Sequence, residues 1–116
     1  MPYDTQLADR IREYLADLPG LDIEEKEMFR GLTFMVNGKM CVSVSRDEMM
    51  VRFDPALQAG LADRNGFREM RMKNRIYNGY GYISPDVIRG KKEFEFWMKQ
   101  CLDFNPKAKA SKARKK

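Results

Sequence analysis

Between Asp4 and Leu18, apolar side chains recur every three or four residues: Leu7, Ile11, Tyr14, Leu15 and Leu18. Arg10, Arg12, Glu13 and Asp17 fall on the other side. This spacing predicts an amphipathic helix with its stripe on a core. Asp4 or Thr5 caps its start and Pro19-Gly20 ends it. The period then shortens to two, and Glu24–Phe29, Leu32–Val36, Lys39–Ser45 and Glu48–Phe53 read as strands. Asn37-Gly38 joins the second to the third as a tight hairpin, because both residues tolerate positive φ. Arg46-Asp47 makes the next turn.

Hairpin arithmetic separates two sheet faces. If Val36 pairs with Lys39 and Ser45 with Glu48, one face carries Thr33, Met35, Met40, Val42, Val44, Met49, Val51 and Phe53. It is nearly all apolar and is predicted to face the core. The opposite face then carries Leu32, Phe34, Val36, Cys41, Ser43, Met50, Lys39 and Arg52. Leu32, Phe34, Cys41 and Met50 are too apolar to be left in water. A second copy of the chain is the expected cover, with these four as the dimer interface. On that assignment Phe34→Glu leaves a folded monomer.

The second half continues the mixture. Pro55–Leu61 is predicted as a short helix with Asp54 as cap. Gly66–Met72 begins a strand, and Tyr77–Ile83 forms another. Tyr80 and Tyr82 lie on one side of it, and Gly79 and Gly81 allow close approach on the other. Ser84-Pro85-Asp86 starts a helical turn. A last helix runs from Lys91 to about Phe104, with Phe94, Trp97, Met98, Cys101 and Leu102 as its apolar stripe. Trp97 is predicted to be buried. The pattern as a whole is that of one α+β domain over residues 1–106.

Charge adds a tail to this picture. Lys107, Lys109, Lys112, Arg114, Lys115 and Lys116 account for six of the 22 Lys and Arg side chains. Residues 107–116 contain no acid, so the rest of the chain sets sixteen basic groups against 17 acids. The tail is predicted to be disordered and to attract nucleic acid weakly and without sequence preference. No run of apolar residues is long enough for a membrane span. The N-terminus lacks the layout of a signal peptide. A cytoplasmic, membrane-free protein is expected.

The absence of histidine removes Ser-His-Asp and Cys-His catalysis. Cys41 and Cys101 belong to no Cys-x-x-Cys motif, so zinc has no support. Sequence alone leaves a bridge between them open, and a reducing compartment favours free thiols. A reactive Cys41 would need Lys39 or Arg52 to activate it, and a packed thiol is the better reading. Asp22, Glu24, Glu25 and Glu27 match no calcium loop and read as a charged edge strand. Asn78-Gly79-Tyr80-Gly81 lacks the lysine and helix of a phosphate loop. Arg64, Arg68, Arg71, Lys73 and Arg75 form a second basic cluster near Phe67, Tyr77, Tyr80 and Tyr82. The same residue types hold single-stranded nucleic acid elsewhere, and a charged edge strand is the plainer explanation. No cofactor motif is present.

Met28–Phe53, MFRGLTFMVNGKMCVSVSRDEMMVRF, resembles the N-terminal domain family of TfoX (Sxy), regulators of competence genes. Met28, Phe29, Gly31, Asn37, Gly38, Lys39, Met40 and Arg52 carry the likeness. Arg75, Tyr77, Gly79, Tyr80, Tyr82 and Pro85 resemble a later family segment. Arg30 replaces a turn glycine, and Tyr77 stands where the family usually has Met. The resemblance spans roughly residues 4–105. It implies a two-layer fold with a curved antiparallel sheet and helices on one face, similar to type III secretion chaperones, which often dimerise. It supplies no catalytic residues. The expectation is a stand-alone, non-enzymatic regulatory domain that binds a protein partner, with nucleic-acid binding as the alternative. On this resemblance, the basic tail is expected to stand where full-length competence regulators carry a helical C-terminal module.

Overall fold

The computed structural model describes residues 3–28 and 31–108, apart from the side chains of Met28 and Met72. Helix α1 (Thr5–Ala16) is followed by four strands, β1 (Ile23–Met28), β2 (Gly31–Val36), β3 (Lys39–Ser45) and β4 (Glu48–Arg52). A 3-10 turn at Pro55–Leu57 leads into the short α2 (Gln58–Ala62). Next come β5 (Phe67–Met72), β6 (Arg75–Ile83), a single turn α3 (Pro85–Ile88) and the long α4 (Lys91–Phe104). The strands form one antiparallel sheet in the order β1-β2-β3-β4-β6-β5. The acidic β1 and the basic β5 are therefore its two edges, where charge opposes pairing with another chain.

Both long helices lie on one face. Asp4 caps α1 by accepting from the amides of Gln6 and Leu7 at 2.9 and 3.2 Å, and Leu7, Ala8, Ile11 and Leu15 are buried. Phe94, Trp97, Met98 and Cys101 are the buried stripe of α4. The helices meet where Tyr14 stands edge-on to Phe94, 6.0 Å between centroids. Arg10 donates to the Ile88 carbonyl at 2.7 Å. Trp97 is fully buried, as its place in the stripe predicts.

The predicted turn at Asn37-Gly38 is present, with both residues at positive φ. Val36 pairs with Lys39 and Met35 with Met40, as expected. The register then shifts, and Phe34 pairs with Val42 rather than Cys41. Cys41 is thus an extra residue in β3, a β-bulge. One added residue reverses the parity of β2 against the rest of β3. This corrects the predicted faces. Leu32, Phe34, Val36 and Cys41 lie under the helices with Val42, Val44, Met49, Val51 and Phe53. Met35, Met40, Met50 and Met70 form a separate cluster on the opposite face. Of the four residues expected at a dimer interface, only Met50 remains on the helix-free face.

Two further details of the expectation shift. The helix at 55–61 is a 3-10 turn followed by α2, and the strand expected from Tyr77 begins at Arg75. Lys73 and Asn74, both at positive φ, close an unexpected β5–β6 hairpin. Glycines are required where backbones meet. A Cβ on Gly31 would collide with the Val44 carbonyl oxygen, and one on Gly81 with the Phe67 ring.

Ion pairing ties α1 to the edge. The Arg12 Nε and Nη2 groups donate to the two oxygens of Glu25 at 2.6 and 2.9 Å. This bond holds the Glu25 carboxyl below its usual range, against the opposing effect of burial. A depressed carboxylate stabilises the fold above its unfolded pKa, and the gain is lost as pH falls through the folded pKa. Both side chains are about a third or more exposed, so Glu25→Gln should cost only about 0.5 kcal/mol at neutral pH. Urea melts should show that gap closing below the ordinary carboxylate range. A gap that persists in acid would assign the loss to packing.

Candidate interaction surface

The helix-free face has a methionine floor. Met35, Met40, Met50 and Met70 are each no more than 6% exposed and pack against Tyr77, Tyr80 and Tyr82. Thr33 and Ser43 on the same face satisfy each other through hydroxyls 3.0 Å apart, and Ser43 donates on to the Leu32 carbonyl. Alternation along β6 places Tyr80 and Tyr82 here, beside Arg52 and Met50 of β4.

Each tyrosine carries a guanidinium. Arg68 lies 4.5 Å from the Tyr82 ring centroid, Arg52 lies 5.7 Å from Tyr80, and Arg75 lies 5.8 Å from Tyr77. These are cation–π distances. Arg68 also pairs with Glu48. Arg71 makes a long contact to Glu69, 3.4 Å, on a side chain 63% exposed. At the hairpin tip Arg71, Lys73 and Arg75 are exposed, and Ile76 is 40% exposed beside them.

The predicted basic cluster therefore divides. Arg68, Arg71, Lys73 and Arg75 stay together on the β5–β6 hairpin. Arg64 lies elsewhere: it pairs with Glu93 of α4 at 2.8 Å and sits 3.8 Å from the Phe96 ring centroid. Lys107 lines a cavity of about 280 Å³ with Arg52, Tyr80, Phe104, Pro55 and Gly79, among others. Ala108 is buried, so core packing extends past Pro106. Lys109, Lys112, Arg114, Lys115 and Lys116 lie outside the described residues. Arg52, read from sequence as one polar residue of a mixed face and as a candidate activator of Cys41, is central here. It donates to the Met40 carbonyl at 3.1 Å, and its guanidinium also lies 5.8 Å from the Phe104 ring centroid.

The other sequence candidates have structural partners. Cys41 is 1% exposed in the main core, which also holds Cys101. Burial first, and then the influence of Cys41, push the Cys101 thiol well above the ordinary range, and the Arg52 backbone pulls the other way. Lys39, the proposed activator of Cys41, instead donates to the carbonyls of Asn105 and Pro106. The Gly79 amide donates to Gln58, and its carbonyl accepts from Phe53. That peptide offers no phosphate cradle. Among the described residues, no group of three or more His, Cys, Asp or Glu is arranged to hold a metal ion. Among them, too, no helix is long and apolar enough to cross a membrane.

An open six-stranded antiparallel sheet, helices on one face and an aromatic–cationic surface on the other define an α+β domain with a sheet-face surface. The chain belongs to the TfoX N-terminal domain family, whose profile matches residues 13–105. No curated protein and no solved structure matches it.

Proposed function

We propose that this domain is a non-enzymatic regulatory module of the cytoplasm that docks its partner on the helix-free sheet face. The observation that carries the reading is the set of three tyrosine rings, each paired with an arginine, on that one face. The family name suggests a regulatory setting such as competence. Charge selects the occupant. Arg71, Lys73 and Arg75 are exposed at the tip, and flat rings lie behind them. Cations beside stacking platforms suit single-stranded nucleic acid. A protein partner, or a second copy of the chain, is a rival occupant that the same experiment separates.

The test uses a fluorescent oligothymidine and the whole chain. Tyr82→Leu keeps an apolar cover over the floor but removes a stacking ring, and should weaken binding roughly 5- to 100-fold, as loss of one base–aromatic stack does. Arg71→Gln with Arg75→Gln should flatten the plot of log affinity against log salt by about 1.4, at roughly 0.7 per phosphate contact. If both variants bind like the parent, the tail or another surface holds the strand. If the parent does not bind at low salt but sediments as a dimer that Tyr82→Leu dissociates, the occupant is a second copy.

A further inference from the structure

The chain after α4 is pinned to the sheet and helps to build a small cavity. Asn105 is 4% exposed and donates from Nδ2 to the Val36 carbonyl at 3.0 Å. Lys39 donates from Nζ to the carbonyls of Asn105 and Pro106 at 3.1 and 3.3 Å. These bonds hold the 3-10 turn Asn105–Lys107, and so place Phe104 and Lys107. The sheet supplies Arg52 and Tyr80, direct partners in the β4–β6 register. Arg52 donates to the Met40 carbonyl, and its guanidinium lies 5.7 and 5.8 Å from the Tyr80 and Phe104 ring centroids. Gly79, at φ +90°, completes the frame: a Cβ there would lie 3.0 Å from the Phe53 carbonyl oxygen and 3.0 Å from the Pro55 ring.

The cavity holds about 280 Å³, close to the lower end of small-molecule sites, about 300–1,000 Å³. The described residues that line it include two cations, Arg52 and Lys107, and no acid. A lining of one sign attracts an anion. The Tyr80 and Phe104 rings offer flat surface to another ring, and the small volume favours one ring over two. We propose that this cavity binds a pyrimidine nucleotide by its phosphate and its base, either as the free monophosphate or as the phosphorylated end of a strand. Arg52 presents a fixed charge to the phosphate, and Lys107, exposed on a flexible stem, presents a mobile one. The base lies against Phe104. The strand-end form rests on the reading of the tyrosine face proposed above, with Tyr80 common to both; the free form stands without it.

Thymidine 5′-monophosphate is titrated into the whole chain to about 10 mM, where even a millimolar site fills, and NMR follows the Gly79 amide and the Tyr80 ring. Thymidine and inorganic phosphate are titrated in parallel. The monophosphate should give saturable shifts at both positions and bind more tightly than either part alone. Lys107→Gln, at an exposed position, should weaken the monophosphate about 2- to 5-fold, as loss of an exposed charge pair does, and leave thymidine unchanged. Phe104→Leu keeps an apolar side chain and should weaken it roughly 5- to 100-fold. Oligothymidine with and without a terminal phosphate then separates the sources. A preference for the phosphorylated strand that Lys107→Gln removes supports the strand end; equal binding of the two strands supports the free nucleotide. No saturable shift overturns the site, even where oligothymidine binds the tyrosine face. Inorganic phosphate or thymidine binding as tightly as the monophosphate overturns the joint recognition of phosphate and base. Unchanged binding by both variants overturns the assignment to this cavity.

Discussion

Phe34→Glu is expected to leave no stably folded domain. Phe34 is completely buried beneath the helices, in the cluster that holds Ile11, Leu15, Val42 and Trp97. Removing a buried phenyl ring alone costs about 3–5 kcal/mol. The carboxylate adds the cost of burying a charge. Arg12, 6.0 Å from the Phe34 ring centroid, is already engaged by Glu25 and Asp9. A total above about 5 kcal/mol rivals the whole stability of a small domain. Phe34→Leu keeps the site apolar and should cost less than about 2 kcal/mol. Circular dichroism with urea titration checks both. A well-folded Phe34→Glu chain would return Phe34 to an open face and remove the bulge from β3.

That experiment bears on the strand pairing whose register the sequence misreports. Helix α1 and helix α4 were legible because polar residues interrupt their apolar stripes at helical spacing. The β3–β4 pairing was legible because Val42, Val44, Met49 and Val51 alternate with Ser43 and Met50, and the structure keeps that register. The β2–β3 pair was not. Leu32-Thr33-Phe34-Met35-Val36 is apolar at both parities save for Thr33, so neither face is marked as core. The bulge at Cys41 leaves no trace in composition. A two-residue turn fixes register only as far as the first irregularity.

The surface was half legible for a related reason. Arginines and tyrosines near one another in sequence were visible, but their pairing depends on the β5–β6 hairpin. Its turn, Lys73-Asn74, lacks the glycine that usually announces such a turn. Arg64 is close to Arg68 in sequence, yet a tight turn follows it, with Gly66 at positive φ. The two arginines therefore separate, one to α4 and one to the sheet. Arg52 and the methionine floor come from other strands, and only the sheet order places them beside the tyrosines.

Trp97→Ala is expected to cost roughly 3–5 kcal/mol, the range for emptying a buried aromatic site. Trp97 is fully buried and is the hub of four rings. Phe67 stacks on it at 5.8 Å, Phe96 stands edge-on at 5.1 Å, and Phe53 is tilted at 6.3 Å. Gly81 supports this arrangement from below, since any Cβ there would push the Phe67 ring. The rings come from β5, from α4 and from Phe53 just after β4, so the cavity left by alanine cannot collapse without moving the sheet against the helix. Trp97→Phe separates packing from polarity. The indole Nε1 is buried with no hydrogen-bond partner among the described residues. Phenylalanine removes that unsatisfied donor, whose burial costs about 1–3 kcal/mol, and this offsets part of the lost contact. Trp97→Phe should therefore lie within about 1.5 kcal/mol of the parent. Urea denaturation followed by far-ultraviolet circular dichroism measures both variants without relying on the tryptophan signal. If Trp97→Ala melts with the parent, the ring is not the hub of this core. If Trp97→Phe is as damaging as alanine, the indole nitrogen has a partner that compensates its burial.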